Sequence, residues 1–260
     1  GERTLVLIHG LASYSPVWLR NLPELTKGHR VVTIDLPGFG KSQKKNYKYS
    51  MELFARVVDG VMDKLAVTHP VLVGHSMGGQ IALTHALLFP KRAEALVLLA
   101  PAGLETFNEG EGRWLADASS KELFKLTPPE GVYANYVGNF HDMPREAQFM
   151  IDDRVKVIGG PDFDAYCYAV SRSVAAMVDG PVFERLGDIE APVQVIFGAE
   201  DGLIPNPILH GGDTRAVAER GLKKLRHGEL AMIPRAGHMV QFEKPAEVDR
   251  IILEFLARLP

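Results

Sequence analysis

Cysteine is all but missing from this chain of 260 residues: Cys167 stands alone. That excludes an internal disulfide and any thiolate metal cluster, and a buried, idle thiol is the expectation. No run approaches the roughly 20 apolar residues needed to cross a bilayer, so no transmembrane segment is expected. Charge of one sign is also lacking. With 29 Lys and Arg against 32 Asp and Glu, the formal net charge of −3 provides no basic stripe for nucleic acid. Internal repeats and low-complexity stretches are absent. The sequence begins at Gly1 without a methionine, which reads as a processed, trimmed or partial start. Composition leaves the compartment and oligomeric state open, with the cytoplasm favoured over a processed secreted form.

What is present is apolar residue in quantity, 46% of the chain, enough for one large domain with a sizeable core and room for an insertion. Its centre is Val71-Leu72-Val73-Gly74-His75-Ser76-Met77-Gly78-Gly79-Gln80. Apolar residues run into a serine between glycines, and helical spacing follows through Ile81-Ala82-Leu83 and Ala86-Leu87-Leu88 until Pro90. A Gly-x-Ser-x-Gly pattern alone arises by chance about one time in ten in a chain of this length. The strand, sharp turn and helix around it are what lift Ser76 to a candidate nucleophile, with Gly74 and Gly78 giving the turn its room.

The same alternation of buried strand and helix runs along the first hundred residues. Leu5-Val6-Leu7-Ile8 predicts a strand covered on both faces, ending in His9-Gly10-Leu11. Arg30 to Ile34 predicts the next, followed by Asp35-Leu36-Pro37-Gly38-Phe39-Gly40-Lys41-Ser42, whose spacing suits a rigid structural loop rather than a phosphate cradle. Ser50 caps a predicted helix with Phe54, Val58 and Met62 on its apolar face, and Ala95 to Leu99 is a fourth strand. From 103 to 188 no buried strand is legible. Amphipathic pieces Arg113 to Leu126, Val132 to Phe140, Arg145 to Ile158 and Phe163 to Val178 predict a helical insertion. Its aromatics, among them Phe124, Tyr136, Phe149 and Tyr166, are candidates for a pocket lining, although packing onto the core is the expectation for most of them. Strands resume at Val193 to Gly198 and Leu230 to Ile233, and Pro245 to Leu259 closes the chain as a helix. This is the order of an α/β fold with a mostly parallel sheet flanked by helices.

In such a sheet, ligands bind beyond the carboxyl ends of the strands. Leu11, Ser76, Asp201 and His238 each follow a predicted strand, and Ser, Asp and His stand in the chain order of one particular hydrolase triad. Here the sequence resembles the α/β-hydrolase family, in its serine-nucleophile branch of carboxylesterases, lipases and meta-cleavage-product C–C hydrolases. His9-Gly10, the Asp35 to Ser42 loop, Gly74 to Gly79, Gly198 to Asp201 and Gly237-His238 all fall in family order. The resemblance implies a core domain of 1–102 and 189–260 and a helical cap of 103–188. It implies catalytic roles for Ser76, Asp201 and His238, and an oxyanion hole from the backbone N–H groups of Leu11 and Met77. Family members usually carry two strands ahead of the His-Gly strand, and the residues before Leu5 leave no room for them.

Glu200 is the rival carboxylate to Asp201. His75 flanks the serine, and strand alternation turns it away from the site. His9, His85 and His210 have no carboxylate or histidine at metal-ligand spacing, so no metal and no cofactor is expected. His29, His69, His141 and His227 read as surface residues. Serine at the elbow argues against the dehalogenase-like and epoxide-hydrolase-like branches, which use aspartate there. The expected activity is hydrolysis of a small-molecule carboxylic ester with an apolar acyl group. The alternative is C–C hydrolysis of a meta-cleavage product, whose enzymes usually have Trp after the catalytic His and a glycine-rich oxyanion strand. Met239 and His9-Gly10-Leu11-Ala12 stand at those places. A ligand-binding sensor on the same fold is a third possibility.

Overall fold

The computed structural model describes residues 3–260; Gly1 and Glu2, and with them the start of the chain, lie outside it. Six strands form one parallel sheet: β1 (Thr4–Ile8), β2 (Arg30–Ile34), β3 (Pro70–His75), β4 (Ala95–Leu99), β5 (Val193–Gly198) and β6 (Gly228–Ile233). Their spatial order is β2-β1-β3-β4-β5-β6. Among the described residues every pairing is parallel. The chain winds outward from β1 to β2, then returns to place β3 on the other side of β1. That reversal is the place where an open α/β sheet leaves a crevice above its strand ends.

The strands carry apolar side chains on both faces because both faces are covered. In β1, Val6 and Ile8 enter one core cluster while Leu5 and Leu7 enter the other, the two-residue period of a strand. Helices α2 (Met51–Lys64), α3 (Met77–Leu88) and α9 (Thr214–Leu222) cover the first face. Helices α1 (Leu22–Leu25), α10 (Val240–Glu243) and α11 (Pro245–Arg258) cover the second, with Trp18, Phe242, Ile252 and Phe255 as its buried bulk. The start of α2 follows from Ser50, whose hydroxyl accepts from Leu53 N at 3.0 Å. Phe54, Val58 and Met62 then fall on one buried stripe.

Between β4 and β5 the described backbone is helical and without strands. It comprises α4 (Glu109–Ala118), α5 (Lys121–Lys125), α6 (Pro129–Val137), α7 (Gln148–Val157) and α8 (Phe163–Asp179). The single piece expected over Arg113 to Leu126 is two helices. Asn108 starts α4 early, its side chain accepting from Glu111 N while Glu111 returns a bond to Asn108 N at 2.7 Å. Ser120 caps α5 through Leu123 N, so the backbone restarts there. Short polar side chains that bond the local backbone override the apolar period of that stretch. Cys167 is buried, and burial holds its thiol above the ordinary range.

Candidate active site

Ser76 lies between the end of β3 and the start of α3, at φ 53° and ψ −118°, a backbone conformation that a residue with a Cβ rarely adopts. The turn is held from both sides. Ser76 N donates to Leu99 O on β4 at 2.9 Å, and Ser76 O accepts from Gly79 N at 2.8 Å. Two flanking glycines make the turn possible. A Cβ on Gly74 would collide with Gly78 O, and one on Gly78 would collide with Ile8 O. The elbow is therefore packed backbone against backbone over β1.

Asp201 and His238 arrive from the loops after β5 and β6. Asp201 is 8% exposed. Its Oδ2 accepts from His238 Nδ1 at 2.8 Å, and its Oδ1 accepts from Leu203 N at 2.8 Å and Ile204 N at 3.1 Å. Burial opposes the charge, but the neighbouring imidazole and the two amides outweigh it and hold the carboxyl below the usual carboxylate range. Because a carboxylate only accepts, His238 Nδ1 carries a proton and Nε2 is left as the lone-pair nitrogen of the neutral ring. Glu200 is exposed, and its carboxylate takes a different partner, Ala236 N at 3.1 Å. It steadies the His238 loop rather than the ring.

Ser76 and His238 line one cavity of about 440 Å³ together with Gly10, Leu11 and Ala12. Helices α5, α6 and α8 supply its far wall through Phe124, Val132, Tyr136, Phe163, Tyr166 and Val170, and α7 adds Arg154. Met77 opens α3, where the first amides of a helix have no carbonyl within it. Neither Leu11 N nor Met77 N donates a hydrogen bond among the described residues. Of the remaining insertion aromatics, Phe140 and Phe149 pack onto the second core face, whereas Trp114 and Tyr133 are exposed.

One histidine requires a correction. His75 does not turn away: it lines the cavity, its ring centroid 5.0 Å from that of His238, and its Nε2 bonds to His238 O at 3.0 Å. His75 continues the face of Val71 and Val73 and pairs in register with Leu99, the side on which the His238 loop packs; the residue that departs from alternation is Ser76, which leaves the strand at φ 53°. Burial and the adjacent His238 push its pKa down to about 3, so it is neutral. His9 is fully buried, donates from Nδ1 to Gly10 O at 2.7 Å and accepts from Leu36 N at 3.0 Å, with burial lowering its pKa to about 4. It ties the end of β1 to the loop after β2. His85 and His210 each meet a carboxylate far from metal-ligand spacing, Asp59 at 3.1 Å and Glu105 at 2.5 Å, brought together across 26 and 105 residues of chain. Among the described residues no group of three or more His, Cys, Asp or Glu side chains has the arrangement of a metal site. Nor is any described helix long and apolar enough to cross a membrane.

Comparison with known proteins agrees with this architecture. A model of the alpha/beta hydrolase fold matches residues 3–245. A 2-hydroxy-6-oxononadienedioate/2-hydroxy-6-oxononatrienedioate hydrolase of Comamonas testosteroni is 30% identical over 268 residues, covering 97% of this chain and 87% of its own length. The dihydrolipoyllysine-residue acetyltransferase component of the acetoin cleaving system of Pseudomonas putida is 30% identical over 264 residues; that match takes in 99% of this chain but 64% of the relative. In structure, a probable hydrolytic enzyme of Pseudomonas aeruginosa PAO1 aligns with a TM-score of 0.88 and 24% identity, over 97% of this chain and 84% of that one, a likeness of fold. On the family match across nearly its whole length, built over a six-stranded parallel sheet, this chain belongs to the α/β-hydrolase fold family.

Proposed function

We propose that the protein is a serine hydrolase that cleaves carboxylic esters through an acyl-enzyme on Ser76. The observation that carries this reading is the 2.8 Å bond from His238 Nδ1 to Asp201, beside the cavity that His238 shares with Ser76. A serine hydroxyl is a poor nucleophile until a base takes its proton. His238 Nε2 accepts that proton as Ser76 Oγ attacks the ester carbonyl, and Asp201 stabilises the imidazolium that results. The carbonyl electron pair moves to oxygen, where the Leu11 and Met77 N–H groups receive it. As the pair returns, the C–O bond to the alcohol breaks and the imidazolium protonates the leaving oxygen. Water then repeats the sequence on the acyl-enzyme, giving the acid and restoring Ser76.

The helical segment 103–188 acts in this reading as a cap over a core of 1–102 and 189–260. Its apolar wall of Phe124, Val132, Phe163 and Val170 suits an acyl group larger than acetyl. Likeness to the Comamonas testosteroni relative favours a second reading, hydrolysis of a C–C bond in a dienoate. Met239 after His238, in place of the Trp usual in such enzymes, is why the ester reading stands first.

Nitrophenyl esters from acetyl to decanoyl test the proposal. The protein should turn over medium acyl chains faster than acetate, and Ser76→Ala should lower kcat by about 10⁴-fold or more. Undiminished turnover in that variant would end the acyl-enzyme reading. Dienoate cleavage that outpaces every ester would put the second reading first.

A further inference from the structure

We infer that Arg154 of α7 is a positioning residue that fixes the oxyanion loop, so that the helical insertion completes the catalytic centre as well as roofing it. The inference rests on the acyl-enzyme reading of Ser76. Its starting point is the bend after β1, where Ala12 has φ 57°. A residue with a Cβ holds such a conformation only when its surroundings over-determine it. The core secures the two ends of this loop. His9 Nδ1 donates to Gly10 O at 2.7 Å, and Ser15 donates through both N and Oγ to Asp35 Oδ1, each at 2.7 Å.

The middle of the loop is held from the insertion. The Arg154 guanidinium donates to Ala12 O, and Tyr166 OH donates toward the same oxygen at 3.5 Å. Tyr14 OH, two residues on, donates to Asp153 Oδ2 at 2.7 Å. Arg154 is itself constrained. Its Cζ sits 4.6 Å from the Tyr166 ring centroid and 5.8 Å from that of Tyr136. No carboxylate lies within ion-pair distance of it among the described residues. A planar cation stacked on two rings has few directions left for its N–H groups, and one of them is taken up by this carbonyl. Leu11 N, proposed to receive the oxyanion, belongs to the residue directly before Ala12. The Leu11 N–H shares its peptide with the Gly10 carbonyl that His9 holds, and the Ala12 carbonyl lies two peptide units further on. Arg154 thus pins the far side of the bend in which that N–H sits, and a preorganised donor is what stabilises developing charge.

The test is kinetic and uses a short, neutral ester such as nitrophenyl butyrate. Arg154→Met should lower kcat by about 10- to 100-fold with KM changed by less than about twofold. A trifluoromethyl ketone, which forms an oxyanion adduct on the serine, should bind more weakly by the same factor as the fall in kcat. Arg154→Lys should restore part of both, since an ammonium can still donate to Ala12 O. Should Arg154→Met fold poorly, Tyr166→Phe removes the second donor conservatively and should move kcat and ketone affinity together by a smaller factor. Unchanged kcat and ketone affinity would overturn the inference, as would a change in KM alone or a defect confined to anionic esters, which would make Arg154 a reader of substrate charge. Ester turnover surviving in Ser76→Ala would instead remove the acyl-enzyme reading beneath it.

Discussion

His75 Nε2 donates to the backbone carbonyl of His238 at 3.0 Å. The residue before the proposed nucleophile thus holds the main chain of the proposed base, and its other nitrogen, Nδ1, is buried without a partner. Since a carbonyl only accepts, the proton on this ring sits at Nε2, and burial keeps the ring neutral down to about pH 3. His75→Ala should lower kcat on esters by roughly 10-fold or more at little change in KM, because the imidazole of His238 loses its register with Ser76. His75→Gln, which can still donate to that carbonyl, should retain more activity. Equal activity in the wild type and His75→Ala would show that the bond does not position His238.

The proposed role of Asp201 ties activity to acid stability. Asp201→Asn keeps the shape but offers an N–H or a neutral oxygen where His238 needs an anion, and kcat should fall by about 10⁴-fold at neutral pH. The native carboxyl has a folded-state pKa below its unfolded value. Its contribution to stability is therefore present above the unfolded pKa and is lost as pH falls through the folded one. Thermal melts from pH 7 down to pH 3 should show a shallower acid loss in Asp201→Asn than in the wild type.

Asp249 has the opposite sign. It is 3% exposed, accepts from Asn21 Nδ2 at 2.8 Å, and burial raises its pKa to about 6. Asn21 Oδ1 beside it is buried without a donor, as suits a carboxyl that prefers its proton. With the folded pKa above the unfolded one, stability falls as pH rises from about 4 to about 6 and stays lowered above that. Asp249→Asn should raise Tm by roughly 2–4 °C at pH 8 and leave it unchanged near pH 4. A uniform shift at both pH values would contradict this account.

Gly78→Ala tests the elbow as a piece of packing. The new Cβ would meet Ile8 O and His9 O, backbone atoms that cannot swing aside. The substitution should destabilise by about 1–3 kcal/mol, read as a lower denaturant midpoint, and should cut ester turnover even below the melting range. Gly60 is the control, because a Cβ there would meet nothing within 4 Å. Gly60→Ala on the exposed side of α2 should not weaken the fold.

Much of this was legible in the residues because the signals were local. Leu5 to Ile8 and Ala95 to Leu99 read as buried strands since an unbroken apolar run admits few other homes, and Ser76 was marked by its own neighbours. Asp201 and His238 were legible through chain order at strand ends. What was hidden depended on distance in the chain. His210 meets Glu105 and His85 meets Asp59 through folding alone, with no spacing to announce either pair. The place of His75 is hidden because alternation puts it opposite Ser76 only if the serine stays in the strand, and Ser76 leaves it at φ 53°. The Arg154 contact with Ala12 joins residues 142 apart, across a loop and helix that carry no shared motif. Even the break between α4 and α5 came from Ser120 binding its local backbone, a choice that the apolar spacing of Arg113 to Leu126 masks.

The strand order has a consequence for when the protein becomes active during folding. Leu11 follows β1 and Ser76 follows β3, but His238 follows β6, an edge strand and the last of the six described. A partly made chain can pair β1 with β2 and β3, yet it lacks the proposed base for Ser76 until β6 has docked on β5. Synthesis from the amino end thus delivers the proposed nucleophile before its proposed activator. On the acyl-enzyme reading, the growing chain stays chemically silent until β6 has joined the sheet.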